Sequence, residues 1–77
     1  MSPALYDMLY SEALAEKKKA LLTLKLLGDH PAGIGDHSTK DFYSNATEAL
    51  SMLVDANDKM ETLKSEFGGT HEKLIKG

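Results

Sequence analysis

Eleven residues, Gly28 to Ser38, hold most of what this chain offers for chemistry: Gly-Asp-His-Pro-Ala-Gly-Ile-Gly-Asp-His-Ser. Two of the three histidines, three of the six glycines and one of the two prolines fall here. Gly28-Asp29-His30 recurs seven residues later as Gly35-Asp36-His37. Imidazole and carboxylate are ordinary ligands for zinc, iron or nickel, so Asp29, His30, Asp36 and His37 make a candidate ligand set that symmetry in an oligomer would multiply. The competing reading is turn chemistry. Asp29 follows a helix-ending glycine, and Asp36 stands before a capping serine and can hydrogen-bond its own backbone. No helical H-E-x-x-H or E-x-x-H spacing supports the set, so no metal and no cofactor is assigned. Asp29, His30, Gly33, Gly35, Asp36 and His37 are read instead as a ligand- or partner-binding connector, in which glycines hold a specified backbone path.

Other residues carry weaker signals. Gly33-Ile34-Gly35 before a helix start resembles an anion cradle, yet a phosphate loop needs a preceding strand and a lysine directly after its last glycine. Ser38 and Ser44 lie near His37, but a pair of helices offers no pocket for an oxyanion, so the chain is read as no enzyme. Tyr6 and Tyr10 stand one turn apart and read as core or interface filler. Lys17-Lys18-Lys19 reads as a solvated face. With 12 acidic residues against 9 lysines, no arginine and a net charge of −3, nucleic acid is not the expected partner.

Two long helices must position these residues. Ser2-Pro3 starts the first, with Ser2 as cap and Pro3 at the first helical position, where its missing N–H costs nothing. No Gly or Pro then interrupts the chain before Gly28, the expected stop. Tyr6, Tyr10, Ala13, Lys17, Ala20, Leu24 and Leu27 follow alternating steps of four and three, one seam of a heptad pattern, with Lys17 its one charge. Glu16 and Lys19 are spaced to pair along the helix. The second helix opens at Ser38 or Thr39, with Asp41 closing an approximate capping box. Its seam is Phe42, Ala46, Ala49, Leu53, Ala56, Met60, Leu63 and Phe67, and Gly68-Gly69 is the expected end. Residues 70–77, anchored only by Leu74 and Ile75, are expected to fray. At about 1.5 Å per residue the helices measure roughly 37 and 43 Å, matched for an antiparallel hairpin.

The expected fold is therefore all-α: one domain, 1–77, with helices over about 3–27 and 39–67. At 77 residues the chain is near the lower limit for burying an independent core, and with no cysteine it gains nothing from disulfides. Leu21, Leu22, Leu24 and Leu26 make the end of the first helix apolar over more than one stripe. A single partner helix covers one stripe only. Self-association as a dimeric four-helix bundle is the expected remedy, through Leu21, Leu22, Leu24, Leu26, Leu50, Leu53, Val54 and Met60. No run reaches the ~20 apolar residues of a membrane span, and residues 1–10 show no signal-peptide pattern. The expected location is cytoplasmic.

The stretch His30-Pro31-Ala32-Gly33-Ile34-Gly35-Asp36-His37-Ser38, with Asp41-Phe42-Tyr43 and Leu53-Val54-Asp55-Ala56, resembles small helical-hairpin proteins of tailed phages infecting marine cyanobacteria. The likeness covers about positions 13 to 67 and is most specific in the loop. That group has no assigned activity, so the resemblance implies a setting: an accessory protein in the cytoplasm of an infected cell, docking on a host or virion protein. Some phage helical hairpins assemble to sequester cyclic nucleotides of host immunity, an analogy of shape alone. Two functions follow as expectations. One is a non-enzymatic oligomeric interaction module. The other is a small-ligand (nucleotide-like) or metal-binding protein whose sites form between subunits, lined by Tyr6, Tyr10, His30 and His37.

Overall fold

Ser2 starts the first helix as its position suggests. Its Oγ accepts a hydrogen bond from the Leu5 N–H at 3.2 Å, and its carbonyl accepts from the Tyr6 N–H at 3.0 Å. The first satisfies one of the orphan donors of the first turn, and the second is the first rung of the helical ladder. From this cap the computed structural model, which describes residues 1–29 and 39–68, builds α1 (Pro3–Asp29), α2 (Thr39–Leu63) and a closing π-helical turn (Lys64–Gly68). Among the described residues there is no strand.

The two helices run antiparallel. Lys59 reaches back to Glu16, while Gly68, farther along α2's direction, lies beside Tyr6, nearer the start of α1. The residues between them are those the four-three spacing selects: Tyr6, Ala13 and Ala20 from α1, and Ala49, Ala56, Met60 and Leu63 from α2, are buried. Tyr10, Lys17, Leu24, Leu27, Phe42, Ala46 and Leu53 are half-buried along the same seam. Alanines at the centre let the backbones approach closely, and the larger Tyr6, Met60 and Leu63 fill the space between the helices toward the start of α1. Lys17 is tolerated there because its methylene stem can cover apolar surface while the ammonium stays hydrated.

Three features depart from the sequence expectation. α1 does not stop at Gly28 but continues to Asp29. Gly28 keeps a right-handed backbone, and the Lys25–Asp29 pair at 3.6 Å spans the last turn. Glycine costs a helix about 1 kcal/mol relative to alanine, a penalty that weakens a helix without ending it. At the other end, Phe67 leaves the seam and is exposed, while Gly68 is buried in its stead. A π turn bonds five residues on instead of four, so the position one turn beyond Leu63 falls to Gly68. A methyl placed there would sit 3.7 Å from the Tyr6 hydroxyl oxygen. Finally, Glu16 pairs across the hairpin with Lys59 at 3.2 Å, not along α1 with Lys19. Both partners are partly exposed, so the pair contributes about 0.2–1 kcal/mol.

Candidate functional site

With seam residues as heptad positions a and d, each helix has two flanks. With Tyr10, Lys17 and Leu24 of α1 and Ala46, Leu53 and Met60 of α2 as the a positions, the residue before each a (g) and the residue after each d (e) border opposite edges of the hairpin. Two contacts identify the edges. The Glu16–Lys59 pair joins two g positions. On the opposite edge the Lys64 ammonium lies 5.8 Å above the ring centre of Tyr10, a cation–π contact. Tyr10 in turn stacks on Tyr6, with ring centres 5.9 Å apart and planes 12° from parallel. The two tyrosines thus use their faces on each other and on a lysine, as packing residues do.

The g edge is polar. Glu16, Thr23, Asn45 and Lys59 occupy it beside the half-buried Leu9 and Met52, and two grooves of the described residues open along it. The larger, about 460 Å³, has Leu9 and Leu63 beneath Glu12, Asp55 and Asp58, with Lys59 at its side. The smaller, about 210 Å³, runs from Thr23 and Leu27 to Glu48 and Met52. Sequence reasoning overlooked this edge. Its signal was present: Glu16 and Lys59 each stand one residue before a seam position, where opposite charges on neighbouring helices meet.

The e edge is apolar over the half of the hairpin nearest residues 29 and 39. α1 presents Leu14 and Leu21, and α2 presents Tyr43 and Leu50, with Leu24, Ala46 and Leu53 half-buried behind them and Val54 one turn from Leu50. Leu50 is 53% exposed, and Leu21, Val54 and Tyr43 are exposed as well. Tyr43 meets Phe42 edge-to-face at 5.6 Å. Nothing within the described chain covers this flank.

The residues expected to form an oligomer surface therefore divide into three groups. Leu21, Leu24, Leu50, Leu53 and Val54 belong to the leucine flank or its border with the seam. Met60 does not: at 9% exposure it is spent inside the hairpin, because its seam position faces α1. Leu22 and Leu26, 57% and 52% exposed, lie on neither flank. At about 100° per residue they are rotated roughly 200° and 240° from the buried Ala20, on the outer face of α1.

Of the expected connector, Asp29 is the last residue of α1 and its carboxylate faces Lys25. His30, Gly33, Gly35, Asp36 and His37 lie outside the described residues. Among the described residues no three His, Cys, Asp or Glu side chains are grouped as metal ligands, and no helix is long and apolar enough to cross a membrane.

Fold and surface together define an all-α antiparallel two-helix hairpin with one largely polar edge and one leucine flank that no described residue covers. Comparison with protein families, with curated proteins and with solved structures finds no match.

Proposed function

We propose that the protein is a non-enzymatic helical interaction module whose leucine flank pairs with the same flank of a second copy, closing a four-helix bundle. The observation that carries this is the flank itself: apolar residues at the e positions of both helices, side by side on one edge, with none of the described residues covering them. The flank runs from Leu14 to Leu21 in α1 and from Tyr43 to Val54 in α2, roughly 18 Å at its longest by two helix widths of about 10 Å. That is of the order of 360 Å², about half of the ~800 Å² per partner of a standard interface, so the pairing belongs to the weak, concentration-dependent class. The bundle so formed acts by docking on another protein. The loop-based resemblance supports a host or virion protein of a phage infection as that partner, met in the cytoplasm of the infected cell.

Light scattering of the purified chain over a dilution series tests the pairing. The expected result is a dimer that dissociates only on dilution and persists at high salt. A folded monomer at every concentration and salt would overturn it.

A further inference from the structure

The leucine flank leaves Leu22 and Leu26 uncovered, since they face away from both the seam and that edge. They do not stand alone. At about 100° per residue, Lys18 and Lys19 fall roughly 160° and 260° around α1 from Ala20, so they bracket the two leucines one turn earlier. All four are exposed. The outer face of α1 is thus a short cationic apolar ridge.

The larger groove on the polar edge has the opposite character. Its floor is Leu9 and Leu63, and its rim carries the exposed carboxylates of Glu12, Asp55 and Asp58. Among the described residues that line it, the cation is Lys59, which is engaged with Glu16. Lys18 and Lys19 stand on opposite sides of the leucine line, and the rim carboxylates stand on both helices, Glu12 on α1 and Asp55 and Asp58 on α2, so the leucines can enter along the floor while the ammonium groups reach the rim on their long stems.

We infer that the ridge of one copy, Leu22 and Leu26 flanked by Lys18 and Lys19, docks in the acidic groove of another copy. Ridge and groove are different surfaces of the chain, so the contact is heterologous: each docked pair keeps one free ridge and one free groove, and association continues until a ring closes or a filament grows. This contact is independent of the leucine flank. It also differs in physical character, because its charge component is screened by salt, whereas apolar burial is strengthened or unaffected.

The test is sedimentation velocity on the full chain at about 0.01 M and about 1 M salt, between which the screening length falls from about 30 to about 3 Å. The expected result is species larger than a dimer at low salt that collapse to dimer at high salt. Lys18→Glu/Lys19→Glu should abolish the larger species, and so should Asp55→Lys/Asp58→Lys, while the four changes together should restore them. These sites are exposed, so helix content by circular dichroism should be unchanged; if a reversal unfolds the chain, the neutral pairs Lys→Gln and Asp→Asn at the same positions replace it. Absence of larger species at low salt, or larger species indifferent to either reversal, would overturn the inference. A salt-sensitive ladder that collapses to monomer, not dimer, would support this contact and refute the leucine-flank pairing.

Discussion

Leu50→Ala isolates the leucine flank. Leu50 is 53% exposed in the hairpin, so a partner removes about half of its surface from water. Full burial of a leucine contributes about 1.5–3 kcal/mol, and the half that a second copy covers contributes roughly 1 kcal/mol. A two-fold interface contains each residue twice, so the substitution costs the dimer about 2 kcal/mol. At 1.4 kcal/mol per decade this weakens the dimer roughly 30-fold, and any unfilled cavity adds to that. The hairpin itself should lose about 1 kcal/mol or less, because the part of Leu50 already buried in it is lost as well, an effect that alanine's higher helix propensity partly offsets. Sedimentation equilibrium of wild type and variant measures the shift, and thermal melting at a concentration where both are monomeric measures the hairpin. A dissociation constant within threefold of wild type, with the fold intact, would refute the assignment of this flank.

The seam and the helix end make two further predictions. Ala20 is fully buried at the close approach of the helices, so Ala20→Leu should separate them and cost about 1–3 kcal/mol. For a domain of this size that lowers the melting temperature by ~4–8 °C per kcal/mol, and an unchanged melt at matched protein concentration would show that the alanine seam is not close-packed. Gly28→Ala should act in the other direction. No atom lies within 4 Å of a methyl placed there and the backbone is right-handed, so stability should rise by about 0.5–1 kcal/mol in denaturant titration; a loss of stability would mean that Gly28 ends the helix as a left-handed cap after all.

Much of this fold was legible in the chain because local chemistry decided it. Ser2-Pro3 specifies a helix start through one hydroxyl and one missing donor, and the four-three spacing selects Ala13, Ala20, Ala49 and Ala56 as buried, since only those positions return to one face every turn. The π turn was not legible: whether Phe67 or Gly68 follows Leu63 on the seam depends on how closely Tyr6 allows the chain to approach, a contact 62 residues away in sequence. Nor was the division of the leucines. Leu21, Leu22 and Leu26 look alike in a list of apolar residues, yet their heptad positions acquire meaning only once α2 lies against α1 and the Glu16–Lys59 pair marks one edge as polar. Composition determined that apolar surface would exceed what one hairpin can hide. The packing of the two helices decided where that surplus lies: Met60 inside, Leu50 and Leu21 together on one flank, and Leu22 and Leu26 on the outer face beside the lysines.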